Sequence, residues 1–122
     1  MEDNVFFQLI PVRQFEWKIE EESQRVIILR PKYISKWAQK LTKPFTGESF
    51  FKIKLDALGS QVWQYCDGAH SVEEILHILQ KKFPEEEDLD KRFVLFIKQL
   101  YREKFIDLLQ KVVEEDSTTH PE

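Results

Sequence analysis

Phe51 to Tyr65, FKIKLDALGSQVWQY, changes its hydrophobic period partway along, and that change decides the fold. Phe51, Ile53 and Leu55 alternate with Lys52 and Lys54, which is the two-residue repeat of a strand with one buried face. Leu58, Val62, Tyr65 and Cys66 then recur three and four apart, so they line one face of a helix, with Asp56 placed to cap its first amides. A strand therefore feeds directly into a helix. The lysines between the inward side chains mark this strand as a sheet edge, because outward charge discourages uncontrolled pairing. Such an edge can still accept a chosen partner.

Upstream, Phe15, Trp17 and Ile19 alternate with Glu16 and Lys18, and after a polar run the β-branched stretch Val26 to Leu29 follows. The two read as a hairpin with a longer loop, ended by Pro31, which has no amide with which to continue a ladder. Ile34, Trp37, Ala38 and Leu41 have helical spacing within Tyr33 to Leu41, and Lys43-Pro44 with Thr46-Gly47-Glu48 makes a connector. Before the hairpin, residues 1–14 hold an apolar knot, Val5 to Phe7 with Leu9 and Ile10, that Pro11 interrupts. This arm reads as an ordered extension of no defined form.

Downstream of Cys66, Asp67-Gly68-Ala69-His70 carries a helix stop, since Gly68 can take the left-handed conformation that ends a helix. Ser71 and Glu74 have capping-box spacing, and Val72, Ile75, Leu76, Leu79 and Phe83 form an apolar stripe closed by Pro84. The acidic run Glu85 to Asp88 then leads into a third helix, Leu89 to Lys104, whose first turn also carries Asp90, where carboxylates favour the helix dipole. Its middle, Phe93-Val94-Leu95-Phe96-Ile97, is apolar all round. A helix packed on one side needs only a stripe. Phe93, Ile97 and Leu100 suit the core, which leaves Val94 and Tyr101 on a second apolar face flanked by Lys91, Lys98 and Arg102. Either the N-terminal arm or a second subunit covers that face, or it binds something. Phe105 to Leu109 reads equally as a closing strand or as the helix end, and the polar tail, residues 110–122, is expected to be disordered. The order is strand, strand, strand, helix, helix, helix: an α+β chain, winged helix-turn-helix-like, with a three-stranded antiparallel sheet followed by three helices.

Composition narrows the function. With 122 residues, 42% of them hydrophobic and ten of them Phe, the chain suits one domain with a single aromatic-rich core. A net charge of −4 argues against a nucleic-acid partner, because phosphate affinity comes from clustered Lys and Arg. The DNA reading fails again at the third helix, whose N-terminal end would enter the major groove but is led in by Glu85-Glu86-Glu87-Asp88. Cys66 is the single cysteine, so no internal disulfide forms, and its place on the apolar helix face suits a packed thiol better than a nucleophile. Gly47, Gly59 and Gly68 are isolated and form no phosphate loop; His70, His77 and His120 have no metal-ligand spacing. The carboxylates of Glu20 to Glu22 and Glu85 to Asp88 sit in solvated charge runs. No catalytic or cofactor-binding residues are expected. The N-terminus lacks the charged start and apolar run of a signal peptide, and no segment is long enough to span a membrane, so a cytoplasmic location is expected. What remains is peptide binding: an exposed strand edge supplies backbone partners, and a helix with spare apolar surface supplies pockets.

The run KLDALGSQVWQYCDGAHSVEEILHILQKKF, Lys54 to Phe83, followed by FVLFIKQLYREKFIDL, Phe93 to Leu108, resembles the PqqD-like family of recognition elements for ribosomally made, modified peptides. The resemblance lies in Leu55 to Trp63, the Cys66-Asp67-Gly68 turn, the helix start Ser71-Val72-Glu73-Glu74-Ile75, and the final helix from Phe93 to Leu100. It implies a peptide-binding domain over residues 15–109 that is not an enzyme. Such a domain binds the leader of a precursor peptide by β-strand addition and presents it to a modifying enzyme, commonly a radical S-adenosylmethionine protein. Carried onto this chain, Phe51, Lys52, Ile53, Lys54 and Leu55 would offer the edge, and Val94, Ile97, Lys98 and Tyr101 would line the groove. The readings from other classes are a winged-helix regulator of transcription and a structural dimerisation module.

Overall fold

The computed structural model describes residues 3–31 and 50–110; the expected helix at Tyr33 to Leu41, the connector after it and the tail beyond residue 110 lie outside the described residues. In chain order the elements are α1 (Asp3–Gln8), β1 (Ile10–Arg13), β2 (Glu16–Ile19), β3 (Val26–Pro31), β4 (Phe50–Lys54), α2 (Ala57–Tyr65), α3 (Val72–Lys82), α4 (Leu89–Arg102) and β5 (Ile106–Leu109). The chain folds as two compact units, Phe15–Gln61 and residues 1–14 with 62–122. The expected three-stranded antiparallel sheet followed by three helices is present, and α1 and a two-stranded sheet of β1 and β5 are added to it.

In the unit Phe15–Gln61 the strand order is β2-β3-β4, all antiparallel, with Trp17 opposite Ile28 and Ile28 opposite Ile53. Two bonds fix which way each amide points. The Glu20 amide donates to the Arg25 carbonyl and the Leu55 amide to the Val26 carbonyl. Antiparallel ladders alternate, so odd-numbered residues of β3 bond to β2 and even-numbered ones to β4. Pro31 therefore turns its missing donor toward β2, which has already ended, and it still pairs in register with Phe50. Val26 and Ile28 are buried on one face, while Lys18, Lys52 and Lys54 stand exposed on the other.

Only Leu55 and Asp56 separate β4 from α2, and side chains satisfy the amides this passage strands. Asp56 Oδ1 accepts from the Gly59 amide at 2.7 Å, which is the expected cap. Ser60, the one buried polar residue among those described, takes the Val26 amide on its hydroxyl at 2.8 Å, and that hydroxyl lies 3.4 Å from the Leu55 carbonyl. Arg25 Nε donates to the same carbonyl at 2.7 Å. The hydroxyl thus stands in for a ladder bond where the strand gives way to the helix.

In the other unit, β1 pairs with β5 from Ile10 opposite Leu109 to Arg13 opposite Ile106. On its other side β1 meets the turn after α2. The Arg13 amide donates to the Cys66 carbonyl, and the Gly68 amide to the Pro11 carbonyl. The Gln14 amide donates to Phe105, so even-numbered residues bond toward β5, and Pro11 faces away from that ladder. Pro11, expected to interrupt the arm, costs it no β5 bond. The Arg13 guanidinium donates to the carbonyls of Trp63 and Gln64 at 3.0 and 2.9 Å, closing the C-terminus of α2. Gly68 has φ 82°, the left-handed conformation expected of it. Partial burial raises the Asp67 pKa, but bonds from the Ala69 amide and His70 outweigh this and hold it below the ordinary aspartate value.

Both halves of the Ser71–Glu74 capping box form. Trp63, Cys66, Val72, Ile75, Leu79, Phe93 and Ile97 are fully buried. The helix α4 ends at Arg102, two residues before the expected Lys104. There the Phe105 amide returns to the Leu100 carbonyl, with Lys104 at φ 68°. The segment after it is the closing strand, β5.

Ser60→Ala leaves the buried Val26 amide without its acceptor, and the expected loss is roughly 1–3 kcal/mol of unfolding free energy. Urea unfolding of the full chain measures the loss, and hydrogen exchange at Val26 locates it. An unchanged midpoint with unchanged exchange would remove the hydroxyl from the junction.

Candidate functional site

The strand expected to offer an edge is the last strand of its sheet among the described residues. By the alternation above, Phe51, Ile53 and Leu55 direct their backbone groups at β3, and Lys52 and Lys54 direct theirs outward. Side chains alternate independently. Phe51, 53% exposed, and Ile53, half-buried, share the face of Val26 and Ile28, whereas Lys52 and Lys54 lie on the opposite face. Lys54 Nζ reaches Glu20 at 2.7 Å across that face. This bond, with a second from the Ser23 hydroxyl, holds the Glu20 carboxyl below the ordinary glutamate range. No proline or bulge interrupts β4. Its outward amides and carbonyls have the repeat that an added strand requires.

The four α4 residues expected in one groove are distributed over three places. Ile97 is 0% exposed and belongs to the buried stripe with Leu89, Phe93 and Leu100. Val94 and Lys98 line a cleft of about 490 Å³ with Phe6 and Phe7 of α1, Leu76 and Gln80 of α3, and Asp90, Lys91 and Leu95 of α4. Tyr101 lines a separate, more polar cleft of about 440 Å³ beside Arg102, Lys104 and Asp107. Leu95, on the first cleft, is 68% exposed, and Lys98 Nζ sits 5.2 Å from the centroid of the Phe6 ring. The Phe6 and Phe7 rings meet edge to face. Sequence reasoning missed these two residues, as it missed Leu76, Gln80, Asp90 and Leu95 on the same cleft. For Phe6 and Phe7 the only signal was the apolar knot, which has no period long enough to give it a face.

Catalytic chemistry has no assembled constellation among the described residues. Among the described residues no group of His, Cys, Asp and Glu is arranged to hold a metal ion, and no helix is long and apolar enough to cross a membrane. The Cys66 thiol is buried, donates to the Val62 carbonyl, and is pushed up to about 12 by that burial, against a smaller opposing pull from Arg13.

Residues 47–106 match the family described as Coenzyme PQQ synthesis protein D (PqqD). The match takes in β4, α2, α3 and α4 and ends on the first residue of β5; it leaves out α1 and β1 to β3. No curated protein and no solved structure gives a significant match to the chain.

The raised thiol pKa makes two expectations. In the native protein Cys66 resists iodoacetamide at pH 8 and is alkylated only in denaturant, because the thiolate is the nucleophile. Unfolding releases a thiol that ionises near its ordinary value of 9.0, so the Cys66 contribution to stability is full below that pH and is lost between it and about 12. Fast alkylation of the folded protein would contradict the first expectation.

Proposed function

We propose that this protein is a non-catalytic peptide chaperone, one that binds the leader of a ribosomal precursor peptide and presents it to a modifying enzyme, a reading supported by the match of residues 47–106 to the PqqD family. The observation that carries this reading is the position of β4: among the described residues, the last strand of an antiparallel sheet, lying within the matched segment and leading through Leu55 and Asp56 into α2. The leader adds as a strand along Phe51 to Leu55, bonding to the outward backbone of Lys52 and Lys54. On α4, Val94 and Lys98 are the candidate side-chain contacts, Tyr101 lines a different cleft, and Ile97 supports the helix from the core. The modifying enzyme is of the radical S-adenosylmethionine type, and both partners meet this protein in the cytoplasm. A regulator that reads DNA is disfavoured at the start of α4, where Arg92 is already engaged by Glu86 within the acidic run.

The test uses the full-length, isotope-labelled protein and overlapping synthetic peptides that cover short open reading frames encoded beside it. Saturable amide shifts at residues 51–55 are expected. Lys54→Pro removes one outward donor while leaving the β3 ladder in place, and should weaken binding roughly two- to tenfold, the net worth of a single hydrogen bond. Lys54→Ala, which keeps the amide, should bind as the parent does. Equal binding by the Pro and Ala variants, or shifts that avoid β4, would overturn strand addition.

A further inference from the structure

Main-chain bonds to an added strand are blind to its sequence, so a leader is distinguished from other peptides by side-chain contacts. The cleft formed by α1, α3 and α4 has the chemistry to make them. On α4, Lys91, Val94, Leu95 and Lys98 follow one another at three, four and seven residues, which places them on one face as cation, apolar, apolar, cation. The two lysines are separated by roughly 10 Å along the helix axis, at about 1.5 Å per residue. Phe6, Phe7 and Leu76 complete an apolar wall beside them. We infer that this cleft takes an acidic, apolar stretch of the leader: an extended segment with carboxylates four residues apart and an apolar side chain midway between them, all three on the side that meets the cleft. The inference rests on the leader-binding reading above and adds the chemical class of the peptide.

Charge carries the choice of occupant. The chain as a whole is negative, at −4, yet this face is not. Neither Lys91 nor Lys98 pairs with a carboxylate among the described residues, whereas the adjacent Arg92 is held by Glu86. Lys98 is also steered, because the Phe6 ring beneath its ammonium keeps it over the cleft without neutralising it. Asp90 lines the cleft beside Lys91, so the Lys98 end is the stronger carboxylate seat. An extended chain advances about 3.3 Å per residue and turns every second side chain to the same side, so carboxylates four residues apart stand about 13 Å apart, within reach of the two flexible lysine stems. Leu95 gives the apolar residue between them an exposed anchor. A second copy of this chain docked symmetrically here would set lysine against lysine. Phe6 and Phe7 precede the residues that the family match covers.

The experiment uses fluorescein-labelled decapeptides of alanine and serine carrying Glu-Ser-Leu-Ser-Glu, Lys-Ser-Leu-Ser-Lys or Glu-Ser-Ser-Ser-Glu at their centre, titrated into the full-length protein at low salt and followed by anisotropy. The acidic apolar peptide should bind at least about tenfold tighter than either control, because like charges set together are penalised. In Lys91→Glu/Lys98→Glu, whose exposed positions leave the fold intact by circular dichroism, the preference between the Glu and Lys peptides should invert. Equal binding of the three peptides, or a preference that survives charge reversal, would overturn the inference. So would a tight dimer that excludes all three. Repeating the titration in Lys54→Pro separates the two readings. Acidic-peptide binding that persists without any peptide shifting β4 sinks strand addition and leaves the cleft standing. Leader peptides that shift β4 but ignore charge reversal do the opposite.

Discussion

A strand that becomes a helix across only two residues has to find partners for backbone groups that neither element can satisfy, and that constraint governs the centre of this protein. The ladder stops at Leu55 while the helix has yet to make its first bonds. Asp56, Ser60 and Arg25 fill the gap between them. Their bonds also fix phase. With the Val26 amide held by Ser60 and the Leu55 amide by Val26, the backbone direction of every residue in β4 follows, so that Lys52 and Lys54 face outward with their main chain. A slip by one residue would reverse this and carry Ile53 to the solvated face. The edge is therefore specified by a junction several residues away from it.

The two surfaces proposed to bind peptide differ in what they can discriminate. The edge of β4 presents peptide groups, which every strand has. The face of α4 presents lysines and apolar side chains, which only some sequences complement. Neither surface asks for a catalytic group, and the buried Cys66 thiol supplies none. Division of labour of this kind lets one scaffold serve different peptides by changing a few exposed residues, while the junction and core stay as they are.

Much of this was legible in the sequence where a single local signal sufficed. The switch of period at Leu55, the Asp56 cap, the left-handed Gly68 and the Ser71–Glu74 box each depend on neighbours within four residues, and each formed as expected. The core stripe Phe93, Ile97 and Leu100 followed from spacing as well. What spacing did not settle was which side of a wholly apolar stretch meets solvent, so Ile97 was read as both core and groove and lies in the core. The arm was illegible for a related reason. Pro11 breaks a ladder only if its nitrogen faces one, and the direction it faces depends on β5, nearly a hundred residues away. Phe6 and Phe7 gain a role only once α3 and α4 stand beside them.

The pairing of β1 with β5 sets an order on synthesis. Ile10 to Arg13 leave the ribosome long before their partners, Ile106 to Leu109. Loop closure over that separation is slow compared with forming a hairpin or a helix. Throughout translation the nascent β1 carries an unpaired edge, and Phe6 and Phe7 wait for the helices they will pack beside. Shifting the chain's ends, by circular permutation through the loop between β2 and β3, would make β1 and β5 neighbours in sequence and turn the last closure into an early one.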